Sequence, residues 1–293
     1  MDCGDKESII TIGLPTYNGE NTIKRTIESV LGQTISNFKL IISDDGSTDS
    51  TQEICQEYVQ KDSRVEFIEK KNPHGWIWNF ISLVEKTKTK YFVWIAHDDN
   101  WDPYFLEKNI RILETDSKII GSVSKIKLVG KNIGNYFPNQ NEHEVEKFEV
   151  VFPIKGTYEE KIKKIVESNW ILNIYSVFRT TELKKSIIHK VFVNWDFAII
   201  LNIIKFGDLH VLDEILAYRD TEGVTAKKSI IKSIKTQKLG WFKTYFPYVH
   251  FTIWCIQNLG VKRFFKYNAY FRYLNFHSAK KIFRDIFNEK NIK

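Results

Sequence analysis

Two adjacent aspartates, Asp98 and Asp99, interrupt an otherwise apolar stretch of the chain, YFVWIAHDDNWDPYFLE. The six residues from Tyr91 to Ala96 are mostly aromatic or apolar, which predicts a buried strand that ends at the acidic pair. Carboxylates side by side repel each other. The pair is therefore expected either in solvent or at a place where a cation sits between the two groups.

A helix is predicted directly after the acidic pair. Asp102 and Pro103 are typical of a helix N-cap and first helical turn. Leu106, Ile110 and Leu113 then follow at helical spacing. The local prediction is a strand, an acidic turn and a helix.

Three earlier segments predict strands that would lie beside this one. They are Ile9–Leu14, Phe38–Ser43 and Val65–Glu69, and helical patterns of about ten to fifteen residues separate them. This alternation predicts an α/β fold with a mainly parallel central sheet and helices on both faces. Ligands of such sheets bind beyond the carboxyl ends of the strands. The residues expected there are Pro15, Tyr17, Asp44, Asp45, Asp98 and Asp99.

The pattern beyond residue 115 is weaker. It predicts strands at 119–130, 173–179 and 210–220, a polar loop at 131–155, a helix at 157–167, and a helix at 194–207 that starts near Asp196.

Composition limits the class of protein. A chain of 293 residues with 43% hydrophobic residues can bury a substantial core. Three distant cysteines, Cys3, Cys55 and Cys255, exclude a disulfide framework or a zinc ligand set and indicate a reducing compartment. The start, MDCGDKES, has none of the features of a signal peptide, and no apolar run approaches the ~18 residues of a spanning helix. We therefore expect a cytoplasmic protein, with peripheral attachment at the cytoplasmic face of the membrane as a further option.

The charge of the chain is uneven. Residues 226–293 contain fifteen Lys or Arg against two acidic residues, a balance of +13, so the total of +7 leaves −6 on residues 1–225. The asymmetry indicates a boundary near 225 and an anionic partner for the tail. In the tail, Lys228, Lys232 and Lys235 share one face of a predicted helix. Ile230, Ile234 and Trp241 lie on the opposite face, and there are fourteen aromatic residues from position 241 to position 276.

Three segments together resemble a family-2 glycosyltransferase with the GT-A fold. They are IGLPTYNGENTIKRTIESVLGQT, LIISDDGSTDST and WIAHDDNWDP, in this order and each with a predicted strand. The resemblance is strong over residues 8–115 and looser up to 220. It implies a catalytic domain at 1–225, with a nucleotide-sugar half at 8–115 and an acceptor half at 116–225, followed by a basic, aromatic, helical region at 226–293.

The resemblance implies inverting transfer of a sugar from a nucleotide-diphosphate donor, a UDP-sugar by expectation, to a hydroxyl of a glycan or lipid-linked glycan. Such a reaction serves the synthesis of cell-surface polysaccharides or glycoconjugates. Pro15 and Tyr17 would wall the base, and Asp45 would accept hydrogen bonds from the base or ribose. The alternatives are a core aromatic for Tyr17 and a turn or capping role for Asp45.

By the same resemblance, Asp98 and Asp99 occupy the acidic metal motif. Asp99 is the first choice of metal ligand, and Asp98 would serve both the metal and the nucleotide sugar. Their oxygen ligands suit Mg²⁺ or Mn²⁺ bridging the diphosphate. The alternative is that one of them only caps a turn or helix.

Asp196 lies where this fold places its catalytic base, which takes the proton of the acceptor hydroxyl. A plain N-cap is the alternative for Asp196. The preceding Trp195 would be a platform for an acceptor sugar or a core residue, and Arg219 is a candidate for binding the acceptor or diphosphate.

The chain departs from the family pattern in three places. Ala96 stands where an acidic residue is common, and GWIWNF (75–80) lacks a basic residue. Thr221 replaces a histidine after Arg219. These changes leave more of the diphosphate binding to the metal, Lys71 or Arg219, and they are compatible with an unusual donor or weak activity. His97 is expected to be structural.

Three other interpretations concern the basic tail and the loop after the first strand. The basic tail could bind nucleic acid or another anion beside a catalytically weak domain, but no nucleic-acid-binding motif appears and the acidic domain would repel phosphates. We therefore expect no nucleic-acid partner.

A nucleotidyltransferase would need a glycine-rich basic loop after the first strand, and LPTYNGEN has no Lys or Arg. The tail itself could lie on an anionic membrane, pack on the domain, or form a homo-oligomer interface.

Overall fold

A mixed eight-stranded sheet forms the centre of the protein in the computed structural model, which describes residues 7–70, 75–130, 150–168, 172–221, 246–276 and 279–280. The strands are β1 Ile10–Thr16, β2 Phe38–Asp44, β3 Val65–Glu69, β4 Tyr91–Trp94, β5 Asn100–Trp101, β6 Ile119–Val129, β7 Val177–Arg179 and β8 Asp208–Asp220.

The strand order is β3-β2-β1-β4-β7-β6-β8-β5. Strands β1 to β4 are mutually parallel neighbours, and β6 also pairs with β8 in parallel. Strand β7 is antiparallel to both β4 and β6, and β5 is antiparallel to β8. The predicted mainly parallel sheet is therefore confirmed. Each antiparallel pair includes β7 or β8, strands that lie beyond residue 115, where the sequence pattern is weaker.

Helices cover both faces of the sheet. They are α1 Ile23–Leu31, α2 Thr51–Lys61, α3 Trp76–Lys86, α4 Phe105–Thr115, α5 Tyr158–Ser168, α6 Thr180–Ser186, α7 Trp195–Ile203, α8 Val249–Leu259 and α9 Val261–Lys266. Residues 268–276 are helical as well. No helix in these described ranges is both long and apolar enough to cross a membrane.

Alternating strand residues fill two separate cores. In β4, Tyr91 and Val93 join the core beneath α1 and α4, whereas Phe92 and Trp94 join the core that contains α3 and α7. Successive side chains of a strand point to opposite faces. Because helices cover both faces, the strand is a continuous apolar run, which is why the sequence pattern marked it clearly.

The C-terminal helices pack on the domain. Phe251, Trp254 and Phe271 belong to the same core as Trp195 and Trp94. The helical nature of this region is confirmed for residues 249–276, and in these residues the inner face of the helices does pack on the domain, as one alternative held.

Two local predictions were wrong in detail. Helix α4 begins at Phe105 rather than at Asp102, because the Phe105 N–H bonds to the Asp102 carbonyl in a preceding turn. Asp102 Oδ1 accepts from the Tyr104 N–H at 3.0 Å and so caps that turn instead. The segment predicted as one strand at 173–179 is a 3₁₀ turn, Asn173–Tyr175, followed by the short β7.

Several sequence predictions lie outside the described residues. They concern the loop over 131–149, Lys71, and the two faces of the tail helix that carry Lys228, Lys232, Lys235, Ile230, Ile234 and Trp241.

Candidate active site

The loops that follow β1 and β2 are joined by hydrogen bonds between side chains and backbone. The Asn18 N–H donates to Ser47 Oγ at 2.8 Å, and the Thr48 N–H donates to Asn18 Oδ1 at 2.8 Å. The Gly19 N–H donates to Thr51 Oγ1 at 2.8 Å. Asn18 has a φ of 50°, in the left-handed region that asparagine tolerates. The two loops therefore form one unit at the carboxyl edge of the sheet.

The adjacent Asp44 and Asp45 have different partners. Asp44 is fully buried and accepts from the Ser47 N–H at 2.8 Å and from Gln52 Nε2 at 2.8 Å. Asp45 is 6% exposed, and its Oδ2 accepts from the Gly75 N–H at 3.1 Å. Asp44 closes the turn, so the structure favours a role for Asp45 other than turn capping.

Tyr17 and Pro15 lie next to this unit. The Tyr17 side chain is 39% exposed, which excludes the alternative of a core aromatic. Pro15 is buried in β1, opposite Ser43 of β2. Tyr17, Asp45 and the acidic pair therefore follow β1, β2 and β4, three adjacent parallel strands of the sheet.

Asp99 is buried and bonded to β8. It is 7% exposed, its Oδ2 accepts from Arg219 Nη1 at 3.2 Å, and its Oδ1 accepts from the Asp220 N–H at 3.2 Å. Burial raises the pKa of Asp99 to about 7, although the charge of Arg219 opposes that rise. Asp98 is only partly buried. Both oxygens of Asp99 accept from donors of β8, whereas Asp98 is less buried, and the order of the two as metal ligands stays a prediction.

Helix α1 holds the backbone of the acidic turn. Arg25 Nη2 donates to the Asp98 carbonyl at 2.7 Å. Thr26 Oγ1 lies 2.8 Å from the His97 carbonyl and 2.7 Å from the Asp99 carbonyl, so its single proton is shared between them. Three consecutive carbonyls thus accept from two neighbouring side chains of α1.

Arg219 is held between a carboxylate and a ring. Its guanidinium lies 4.8 Å from the centre of the Tyr175 ring and pairs with Asp99. Burial lowers the pKa of Arg219, but Tyr175 and Asp99 outweigh it and keep that pKa well above its usual range. In this arrangement Arg219 serves Asp99, and the diphosphate role predicted for it is not visible in its contacts.

Asp196 is the second residue of α7, and Asn194, with a φ of 64°, occupies the N-cap position. The plain N-cap alternative for Asp196 is therefore wrong. Its Oδ1 accepts from the Phe197 N–H at 3.0 Å. Burial raises the pKa of Asp196, and the charge of Arg219 acts against that rise. The charge of Arg219 thus reaches both Asp99 and Asp196, which places the acidic turn and the predicted base in one electrostatic environment.

Trp195 lies in the core. It is 2% exposed, and its ring centre is 6.1 Å from that of Trp94 and 6.0 Å from that of Phe80. Of the two alternatives for this residue, the structure favours the core residue over the acceptor platform.

Residues 11–181, more than half of the chain, match the sequence profile of Glycosyl transferase family 2. The chain belongs to glycosyl transferase family 2.

Curated relatives of this family 2 chain match it over about a third of its length. An uncharacterized glycosyltransferase of Rickettsia prowazekii is 35% identical over 106 residues, 36% of this chain and 32% of the relative. TuaG of Bacillus subtilis, a proposed teichuronic acid biosynthesis glycosyltransferase, is 30% identical over 105 residues, 36% of this chain and 42% of TuaG. The matches span less than half of either relative.

Solved structures share the fold over most of the chain. Residues 1–349 of S. aureus TarS in complex with UDP-GlcNAc match with a TM-score of 0.60 and 15% identity, over 87% of this chain and 74% of that one. The mannosyltransferase PcManGT of Pyrobaculum calidifontis, in complex with GDP-Man and Mn²⁺, matches with a TM-score of 0.58 and 11% identity, over 94% and 73%. These likenesses confirm the predicted GT-A fold. Because the sequence identities are so low, the likenesses show the fold alone.

The departures from the family 2 pattern have structural counterparts. Thr221 is buried, and its hydroxyl donates to the Val129 carbonyl at 2.9 Å, so it joins the ends of β8 and β6. A basic residue that sequence reasoning missed is Lys70: burial lowers its pKa and the charge of Asp45 raises it, which puts Lys70 within electrostatic range of Asp45.

Sequence reasoning also missed Arg25, Thr26 and Tyr175. Thr26 lies on the buried face of α1, which the helical pattern did indicate, but nothing in the local sequence assigns its hydroxyl to the acidic turn. Tyr175 is close to Arg219 only in the folded chain.

Proposed function

We propose that this chain transfers a sugar from a nucleoside diphosphate donor to an acceptor hydroxyl, with inversion at the anomeric carbon. One observation carries the proposal: an exposed aromatic ring, a buried carboxylate and a partly exposed carboxylate, those of Tyr17, Asp45 and Asp98, follow three adjacent parallel strands. Neighbouring strands lie about 4.8 Å apart, so these strand ends span about 10 Å, the scale of a nucleoside with its phosphates.

The donor side would use these groups separately. The Tyr17 ring offers a stacking face to the base, next to Pro15, and the Asp45 carboxylate accepts hydrogen bonds from the base or ribose. Lys70, whose N–H donates to the Asp44 carbonyl at 3.1 Å and whose Nζ donates to Ser82 Oγ at 3.0 Å, would add a positive charge on the donor side of the sheet edge. A UDP-sugar is our first choice of donor.

Asp98 would hold a divalent metal, Mg²⁺ or Mn²⁺, together with oxygens of the donor diphosphate. Within the described residues no group of three or more acidic, His or Cys side chains could hold a metal by itself. That donor set fits Mg²⁺ and Mn²⁺, which are often held by one or two carboxylates and substrate phosphates rather than by a complete protein cage. Such a metal, when bound, offsets the charge of the leaving diphosphate. Arg25 and Thr26 would position Asp98 through the backbone of the turn.

Asp196 would act on the acceptor. Its carboxylate takes the proton of the acceptor hydroxyl while the hydroxyl oxygen bonds to the anomeric carbon and the bond from that carbon to the diphosphate oxygen breaks. The raised pKa of Asp196, caused by burial, brings its basicity closer to neutral pH, where a general base is most effective. A single displacement of this kind converts an α-linked donor into a β-linked product.

We further infer that the acceptor is a hydroxyl of a glycan or lipid-linked glycan used for cell-surface polysaccharide, and that transfer takes place in the cytoplasm at the membrane face. The name of the relative TuaG supports this acceptor class. The alternative role for the exposed apolar surface of the chain is an interface between two copies of it.

A thermal-shift screen tests the donor side. We expect UDP or another nucleoside diphosphate to raise the Tm of the full chain more with Mn²⁺ than with EDTA, because a ligand that binds only the folded state stabilises it. Asp98→Ala should remove the Mn²⁺-dependent part of the shift. Tyr17→Ala should reduce the shift both with Mn²⁺ and with EDTA.

Asp213→Ala is the matched control, because the Asp213 side chain is 89% exposed and pairs only with a lysine on the neighbouring strand. It should behave like the unmodified chain. A nucleotide shift that is equal in EDTA and Mn²⁺, or unchanged in Asp98→Ala, would contradict the metal role.

A further inference from the structure

Exposed apolar side chains are concentrated in the C-terminal helices. Twelve large hydrophobic residues of the described chain are exposed, and six of them lie between positions 246 and 276. These six are Phe246, Ile253, Val261, Phe265, Tyr273 and Phe276. Phe276 is 76% exposed and Phe265 is 64% exposed, the two highest values among the twelve.

Helix α9 exposes an apolar residue beside each outward lysine. Val261 and Lys262 are exposed, and so are Phe265 and Lys266 one turn later. The opposite face carries Phe264, whose ring stacks at 5.2 Å on an inner aromatic ring of the following helix. The outward residues therefore form a stripe of paired apolar and basic side chains.

The helical residues 268–276 repeat this pattern. Arg272 and Phe276 are exposed, whereas Phe271, which precedes Arg272, is buried in the core. Lys280, four positions after Phe276 in the sequence, is also exposed. The two helices thus share an amphipathic pattern in which the inner face is aromatic core and the outer face is apolar and basic.

The charge of this region has one sign only. Residues 246–280 contain five Lys or Arg and no Asp or Glu. Two of the five, Arg263 and Lys266, pair with Glu159 of α5, whereas Lys262 and Arg272 point away from the domain as exposed side chains. A surface that is both basic and apolar is complementary to an anionic lipid surface, where apolar side chains enter between headgroups and basic ones contact phosphates.

We propose that the outward face of residues 261–276 is a docking surface for an anionic membrane. Val261, Phe265 and Phe276 enter the headgroup region, and Lys262 and Arg272 contact anionic headgroups. The purpose of the contact rests on the proposed function, because a lipid-linked acceptor would be met at that surface. Nucleic acid is less well matched, because an exposed aliphatic side chain such as Val261 offers a base neither a stacking face nor a hydrogen bond.

The packing of these helices on the domain would fix the position of a bound membrane relative to the proposed active site. The described C-terminal helices are attached to the domain by Phe251, Trp254 and Phe271, and α8 packs on α7, the helix that carries Asp196. Glu159 adds bonds to Arg263 Nε and Lys266 Nζ, each at 2.7 Å. A membrane bound to the outer face would therefore lie at a fixed position relative to the proposed base.

Vesicle co-sedimentation of the full chain tests the surface without any nucleotide or sugar, so its outcome is independent of whether the chain transfers a sugar. We expect binding to vesicles of phosphatidylcholine mixed with phosphatidylglycerol, weaker binding at high salt, and little binding to phosphatidylcholine alone. Each Lys or Arg near an anionic surface is worth ~1 kcal/mol, so Lys262→Glu with Arg272→Glu should weaken binding by at least about tenfold.

Phe265→Ser with Phe276→Ser should weaken binding at both salt concentrations. The matched control is Phe206→Ser with Ile215→Ser, because these side chains are 45% and 48% exposed elsewhere on the chain. That control should bind like the unmodified chain. Thermal melting of every variant checks that it is folded.

Three results would overturn the proposal. The first is a folded full chain that does not bind the anionic vesicles. The second is equal binding by the Phe265/Phe276 variant and the control. The third is a full chain that is a dimer, becomes monomeric in the Phe265/Phe276 variant and binds no vesicles, since the face would then be an interface between two copies.

Discussion

The carboxyl edge of the sheet and the C-terminal helices are held in place by different forces. At the edge, side chains such as Asn18, Asp44 and Thr26 bond to specific backbone groups of neighbouring loops. In the C-terminal helices, attachment comes mainly from buried aromatic rings, those of Phe251 and Trp254 among them. Hydrogen bonds depend steeply on direction and distance, whereas apolar burial depends on area.

This difference predicts how each region tolerates change. An isosteric substitution that removes one hydroxyl should disturb the edge and the metal binding proposed there. In the C-terminal helices the same kind of change should matter little, and only a loss of buried volume should be costly. Helix α7 belongs to both regions, because its first turn carries Asp196 and its buried face packs on α8.

The largest effect is expected at that junction. Asp196→Asn keeps the shape of the side chain and removes its basicity, so sugar transfer should fall by ~10²–10⁴-fold. Donor affinity and Tm should change little, because Asp196 is proposed to serve the acceptor. Steady-state rates together with nucleotide titrations measure both. A variant that loses donor binding and keeps a normal rate would show that Asp196 serves the donor and not the acceptor.

Next in size is the loss of an aromatic ring beneath the C-terminal helices. Phe251 is 1% exposed in the shared core, and truncating a buried Phe costs about 3–5 kcal/mol. Phe251→Ala should therefore lower the free energy of unfolding by about that amount in a urea titration. Nucleotide binding measured well below the Tm should persist, because the other face of β1, β2 and β4 packs in the separate core beneath α1 and α4. Phe251→Leu, which keeps most of the volume, should lose much less.

A smaller effect is expected from the hydroxyl that holds the acidic turn. Thr26→Val has nearly the same shape and leaves the His97 and Asp99 carbonyls without their donor, at a cost of about 1–3 kcal/mol. The Mn²⁺ concentration needed for the nucleotide shift should rise by about 2- to 12-fold if half of this cost falls on the metal-bound state. Thr26→Ser, which keeps the hydroxyl, should behave like the unmodified chain. If valine and serine have equal metal requirements, the hydroxyl does not position the turn.

The smallest effect concerns the ion cluster that connects α5 to the C-terminal helices. The side chains of Lys266, Arg263 and Tyr267 lower the pKa of Glu159 to about 2, below its usual value of 4.5. Because the folded pKa is depressed, the stabilisation from Glu159 is complete above pH 4.5 and is lost as the pH falls towards 2. Glu159→Gln should cost at most about 1 kcal/mol at neutral pH, since the side chain is 38% exposed.

Urea unfolding of both proteins between pH 5 and pH 2 measures this difference. We expect the gap in stability between the unmodified chain and Glu159→Gln to narrow as the pH falls. A gap that is constant over this range would show that the Glu159 charge does not contribute to attaching the helices.

The sequence by itself determined the secondary structure and the place of most candidate residues. Apolar runs such as Tyr91 to Trp94 and the helical spacing of Ile23, Ile27 and Val30 mark elements that the structure contains. Because ligand-binding residues of such sheets follow the strands, Tyr17, Asp45 and Asp98 could be placed at the carboxyl edge from spacing alone. Alternation and periodicity are local properties, so a local pattern suffices to predict them.

Only the tertiary structure decided which partners these residues have. Asp98 and Asp99 are adjacent in the sequence, and Arg219, 120 positions away from Asp99, donates to the Asp99 carboxylate. Trp195 and Asp196 are neighbours, and packing against Trp94 buries the first. Such pairings join residues that are far apart in the chain, and the free energy of each depends on which surfaces the folded sheet brings together, which no local pattern encodes.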